Sequence, residues 1–390
     1  MPNLKLGIPG LTYENLFELD GLQQVDDAFF LRLKKTDSGL SKALLAYRSG
    51  SHEFSAQETS ELLINCGREL ELFIGELFGI THELDALREE TVADDPVFLF
   101  KKNYVLRKAR RRLIKNDVEE TFAELDNWLT KSLKQGGFTH DDRELSVAKL
   151  GLYYLKDKDT FGPEIEYLIR WCIMAMTMPD GQRAVKGWVS FKLPTPVDFN
   201  ALVPTEPVHD TSGHRVAILP TLRRRRNGFK LTDLRMSQRE VQSEVDYCIY
   251  CHDHDGDFCS KGFPAKKGEP DKGFKINPLG VDLVGCPLDE LISEMHLLKK
   301  EGCSLGALAL IMVDNPMCPA TGHRICNDCM KACIYQKQEA VNIPQIETRA
   351  LTDVLSLPWG VEIYDLLTRW NPLRKKQYLP KPYNGLKILV

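Results

Sequence analysis

Apolar residues along the first half of the chain recur every three or four positions, the period of helices that bury one face. Ser55-x-x-Glu58 has the form of a capping box, and Leu62, Leu63, Cys66, Leu70, Phe73 and Leu77 follow it at helical spacing. Thr139-x-x-Asp142 opens a second stretch of the same kind, with Leu145, Ala148, Leu152 and Tyr153 on one face. Pro163 stands where a first-turn proline belongs, ahead of the apolar run Tyr167 to Met176. Pro194, Pro196, Pro204 and Pro207 then break the pattern, which places a domain boundary near 195–225. The later helical stretches are shorter: Arg235 to Tyr247 and Leu288 to Lys300. The expected fold class is therefore mainly α, with a helical domain over 1–225 and a second domain over 226–385.

Composition narrows the function classes. The chain has 390 residues, 43% hydrophobic and 27% charged, with a net charge of −4. That balance argues against bulk attraction to nucleic acid or anionic membrane. Basic residues do gather at Lys101, Lys102, Arg107, Lys108, Arg110, Arg111, Arg112 and Lys115, and at Arg223 to Arg226. No interleaved aromatics accompany them, and Asp117, Glu119 and Glu120 dilute the field, so a solvated helix face or an intramolecular anchor is expected. Tyr167 to Met178 is too short to span a bilayer, and the N-terminus has no secretory pattern. A cytoplasmic location is the expectation.

Eleven cysteines change the picture, because disulfides are rare in that compartment. Cys66 and Cys172 stand alone in apolar helical patterns and read as core. The other nine lie between Cys248 and Cys333 at short gaps among Asp, Asn, Lys and Gly, which is how ligands cluster. Cys248-x2-Cys251, Cys259, Cys286-Pro287 and Cys326-x2-Cys329-x3-Cys333 suit [4Fe–4S] clusters, whose thiolates come several from one loop and whose last ligand is often followed by proline. A structural zinc held by Cys248, Cys251, Cys326 and Cys329, in a helical interaction scaffold without redox activity, is the alternative. It leaves Cys259, Cys286 and Cys333 without a task. Cys248-x2-Cys251-His252 matches a haem-attachment motif but lacks the export signal that goes with it. Asp253, Asp255 and Asp257 mimic a calcium loop, yet Phe258 takes the place of its required glycine. His252 and His254 read as solvated loop residues. His209, Asp210 and His214, beside Ser212-Gly213, form the one polar cluster just past the helical half and read as a loop.

The run from Arg235 to Val390, about 40% of the chain, resembles the N-terminal iron–sulfur domain of the glutamate synthase small subunit and of dihydropyrimidine dehydrogenase. The shared pieces are a helix into Cys-x2-Cys, Gly285-Cys286-Pro287, Asp314-Asn315-Pro316, Thr321-Gly322, Cys326-x2-Cys329-x3-Cys333 and Val341 to Glu347. The resemblance implies an alpha-helical ferredoxin-like domain with two [4Fe–4S] clusters in crossed ligation. One takes Cys248, Cys251, Cys259 and Cys333; the other takes Cys286, Cys326 and Cys329, with Glu347 as a non-thiolate fourth ligand. It departs from that pattern in the 26 residues between Cys259 and Cys286, and it leaves Cys303 and Cys318 as spare thiols. It further implies a relay in a NAD(P)H- and FAD-dependent oxidoreductase, with a flavoprotein domain or subunit and a protein electron carrier as partners. Residues 386–390 look like the start of a Rossmann strand, so the FAD and NAD(P)H sites would belong to a missing C-terminal part. No catalytic acid, base or nucleophile is expected in this chain.

Overall fold

The computed structural model describes residues 4–113, 118–203, 205–210, 213–218, 227–231, 234–254, 256–266, 268–321, 325–381 and 385–387. Helices dominate it, as the periodicity requires. The chain divides into two compact units: Met1–Arg88 with Thr195–Val390, and Glu89–Pro194. The boundary expected near 195–225 falls where the chain re-enters the first unit. Residues 1–88 pack with the cysteine-bearing segment, whereas the sequence had suggested a single helical domain over 1–225.

In the larger unit, helix Ala56–Phe78 is closed at its start by the capping box expected from the sequence. The Glu58 amide donates to Ser55 Oγ at 3.2 Å, and the Ser55 amide donates to Glu58 Oε2 at 2.8 Å. Its apolar face, with Leu63, Cys66, Leu70 and Ile74, is buried in one core with Leu298, Leu305 and Leu308 from helices Ile292–Lys300 and Ser304–Asp314. Polar contacts fix the register. Glu71, buried to 1% exposure, accepts from the Leu305 amide at 2.9 Å at the start of helix Ser304–Asp314, where orphan amides favour a carboxylate. Gly67 permits the approach: a Cβ there would lie 2.8 Å from Leu298 Cδ1. Helix Ile343–Leu355 closes the other side of Ser304–Asp314. Lys299, fully buried, donates to Asp353 Oδ2 at 2.6 Å and to Ser304 Oγ at 3.0 Å, so its charge is paired inside the core.

The smaller unit is a helical cluster around Trp171, Tyr104, Phe100 and Leu129. Pro163 lies in the first turn of helix Gly162–Thr177, as expected. Helix Arg143–Lys156 differs from expectation at its cap. Asp142, not Thr139, accepts from the Leu145 amide, at 3.1 Å, because its short carboxylate already sits in reach of the first turn. The basic run from Lys101 lies on a wide-turn π-helix, Lys101–Ala109, continued by Arg110–Arg112. Arg112 pairs with Glu166, and Tyr104 on the inner face donates to the Gly151 carbonyl at 2.9 Å. Lys115 and Asp117 lie outside the described residues.

The Pro-rich passage holds a feature that the sequence reading did not anticipate, a two-stranded antiparallel hairpin, Thr205–Asp210 with Gly213–Ile218. Its register opposes His209 to His214 and Asp210 to Gly213 next to the turn. Pro204, Ser212, Arg223 to Arg226, Gly322 and 388–390 lie outside the described residues. Among the described residues no helix is long and apolar enough to cross a membrane.

Candidate functional site: two thiol groups in the larger unit

Helix Gln238–Tyr247, capped by a Ser237–Glu240 box, ends at Cys248 as its C-cap. Cys251 opens the turn Cys251–His254, and Cys259 lies on the short helix Phe258–Lys261. Cys333 follows helix Asp328–Ala332, which packs on the Cys259 helix. These four thiols come within electrostatic reach of one another. Burial is the main cause that raises Cys248 to about 12, and the charges of Cys251 and Cys333 add to it. Burial also raises Cys251 to about 11, with Cys333 its next opponent. Cys259 is held well above the thiol range by burial, then by Asp257, Cys248, Cys333 and Cys251.

A second group forms beside it. Burial holds Cys329 well above its ordinary range, opposed further by Glu347, Cys286, Cys326 and Glu290. Cys286 is raised to about 11 by burial, with Glu290 and Glu347 adding to the shift. Cys326 is exposed, and its sulfur accepts from the Asp328 amide at 3.5 Å. Electrostatic coupling links Cys248, Cys251, Cys259 and Cys333, and separately Cys286, Cys326, Cys329 and Glu347. Cys248 and Cys251 fall in one, Cys326 and Cys329 in the other, so the four-thiol zinc set of the alternative reading is split.

Burial disfavours a thiolate, but both groups also contain features that favour one. Amide N–H groups aim at sulfur: Tyr250 at Cys248, at 3.4 Å; Tyr335, Val341 and Ile334 at Cys333; Glu290 and Leu288 at Cys286. Such donors stabilise negative sulfur. Tyr247 and Tyr335 stack with centroids 4.3 Å apart.

Several placements were not legible. Glu290, 4% exposed, faces Glu347, and the two carboxyls hydrogen-bond one another. Burial and the like charge of Glu290 hold Glu347 well above the carboxylate range. Asn315 also bonds Glu290, and Cys318 is raised to about 12 by burial, then by Glu347 and Glu290. Cys318 therefore adjoins the second group. Cys303 belongs to the core, beside Glu71 and the Gly67 carbonyl. His252 corrects the solvated-loop expectation. Its ring is 4% exposed, with Nδ1 2.5 Å from Ser293 Oγ, because the turn after Cys251 folds inward. Asp255 lies outside the described residues.

The donors do not crowd around a point. Among the described residues no three or more His, Cys, Asp or Glu side chains are close enough to share a single metal ion. Zinc–sulfur bonds of about 2.3 Å would draw four sulfurs to within roughly 4 Å of each other. A cubane cluster, with an iron at each of four corners, holds its ligands farther apart.

Comparison with known proteins corrects the expected kinship. The family model described as RP005 N-terminal alpha-helical domain matches residues 6–79. Uncharacterized protein RP006 of Rickettsia prowazekii (strain Madrid E) is 64% identical over 74 residues, 19% of this chain and 10% of that protein. Uncharacterized protein RP005 of the same organism is 27% identical over 316 residues, 76% of this chain and 99% of that protein. The chain thus spans about a tenth of the first relative and nearly all of the second. No solved structure matches. These findings replace the resemblance to the glutamate synthase small subunit and dihydropyrimidine dehydrogenase, for which they contain no support. The matched family region lies in the helical N-terminal part, which that resemblance had left untouched.

Proposed function

We propose that the segment from Cys248 to Glu347 binds two [4Fe–4S] clusters and that the chain relays electrons. The observation that carries this reading is the sorting of the thiols into two adjacent groups, one with Cys248, Cys251, Cys259 and Cys333, the other with Cys286, Cys326, Cys329 and Glu347. The kinship of the chain plays no part in it. Such clusters supply reversible one-electron transfer at potentials set by their ligands and surroundings. The protein's own residues would set those surroundings. Amides at Cys248, Cys286 and Cys333 would offset thiolate charge. Glu347 would hold the metal as a carboxylate, since metal binding requires the deprotonated donor. A relay needs a donor and an acceptor. A flavoprotein is the partner class that suits it, because a flavin takes a hydride and releases electrons singly.

The test is anaerobic purification followed by iron and sulfide counts, a visible spectrum with and without dithionite, and low-temperature EPR of the reduced protein. Two cluster equivalents, a broad visible band that bleaches, and two interacting paramagnetic signals are expected. A colourless, EPR-silent protein that contains only zinc overturns the reading.

A further inference from the structure

A small cavity of about 250 Å³ lies between the segment that leads into helix Gln238–Tyr247 and the helix Ile343–Leu355. Its lining is polar and asymmetric in charge: Arg235 and Arg349 supply two guanidiniums, and Thr348, Thr352 and Ser356 supply three hydroxyls. The hydroxyl residues are four apart, which stacks them along one face of the helix. Arg235 is held across the gap by its neighbour, whose Met236 amide donates to Gln345 Oε1 at 3.1 Å. One carboxylate also lines the cavity, that of Asp353, and it is already engaged. It accepts from Lys299 Nζ at 2.6 Å and Ser304 Oγ at 3.2 Å, and Arg349 Nε is 2.5 Å from its other oxygen. The two guanidiniums of the lining, Arg235 and Arg349, thus outnumber its single carboxylate.

We propose that this cavity is a phosphate-binding site, with Arg235 and Arg349 as the charged donors. Planar guanidiniums recognise phosphate oxygens through paired charge-assisted hydrogen bonds, and the volume admits one phosphate group with its water rather than a whole nucleotide. A nucleotide that binds here places a phosphate inside and its base outside. The site lies apart from the thiol groups and does not rest on the electron-relay reading.

Isothermal titration of the full chain with inorganic phosphate and, separately, with AMP tests it. Saturable phosphate binding is expected, and R235Q should weaken it by about tenfold or more. Arg235 is exposed, so R235Q should unfold at the wild-type temperature in phosphate-free buffer. R349K, which keeps a cation beside Asp353 but loses the fork, should also bind phosphate more weakly. AMP binding tighter than phosphate by about tenfold assigns the site to a nucleotide; equal affinities assign it to free phosphate. No saturable binding of either probe to the wild-type chain, or unchanged binding in R235Q, overturns the proposal.

Discussion

The amide of Cys286 donates to the carbonyl of Cys259 at 2.9 Å and to that of Ser260 at 3.0 Å. The 26 residues between the two cysteines form a closed loop, so one residue of each thiol group is fastened to the other by backbone. Within the loop the Phe263 amide donates to the Leu283 carbonyl, and the Lys275 amide to the Phe263 carbonyl, both at 2.8 Å. An insertion of this length costs little entropy once its ends are joined, since closure grows only slowly with length. The joint therefore keeps the two groups adjacent whatever the loop does.

Gly285 is what allows the joint. Its φ is +79°, and a Cβ there would lie 2.4 Å from the Gly262 amide nitrogen and 2.6 Å from the Ser260 carbonyl oxygen. G285A should cost at least about 2 kcal/mol, from the left-handed backbone and the clash together. Urea unfolding measures it. A loss within a few tenths of wild type would mean that the joint gives way freely and holds nothing together.

The cysteines should divide by role. Cys303, buried between Glu71 and the Gly67 carbonyl, packs in the core, and C303A should keep both cluster equivalents in anaerobic protein. C333A removes a sulfur that three amides face and should lower the count to one. Iron and sulfide analysis on the two variants decides. Equal loss in both, or in neither, contradicts the assignment of the first group.

Much of this was legible before any coordinates. Ser55 and Pro163 mark helix starts through local chemistry. What local signals omit is partnership across sequence. Glu71 and Leu305 meet across 234 positions, and nothing near either residue forecasts it. The same gap hid Glu290 opposite Glu347, and the pairing of 1–88 with the cysteine segment. The Pro-rich passage concealed the hairpin because proline at 207 was read as a breaker, although a two-stranded ribbon is all edge and tolerates it. The mistaken kinship has a physical root too. Short cysteine and glycine motifs answer to the geometry of a ligand, so they recur in chains of different ancestry.

Lys299 and Asp353 form an ion pair at the bottom of the core, both under 5% exposed. Burial pushes the Lys299 amine down, and Asp353 pulls it back up. K299M should cost about 3–5 kcal/mol, because it takes one of two cations from a buried carboxylate and leaves it Arg349. K299M/D353L should recover most of that loss, since removal of both charges leaves an apolar contact. Denaturant melts of the two variants are the check. A double variant no more stable than the single one would show that the pair contributes attraction well beyond its own desolvation.

His296 makes the last prediction, on acid stability. It is 1% exposed, and neither ring nitrogen has a described hydrogen-bond partner. Burial, with a smaller contribution from the charge of His252, holds its pKa down to about 3. The unfolded chain protonates this ring near pH 6.5. Below that value the unfolded state binds a proton that the folded state refuses, so stability falls as pH drops toward 3. The slope is about 1.4 kcal/mol per pH unit for this one group, present in full only well below pH 6.5. H296L fills the same apolar space without a titratable nitrogen. Unfolding free energies measured from pH 7 to pH 4.5 should decline less steeply in H296L than in wild type. Identical slopes would mean that the ring is protonated inside the fold, with a counter-charge or water beside it that stabilises the cation.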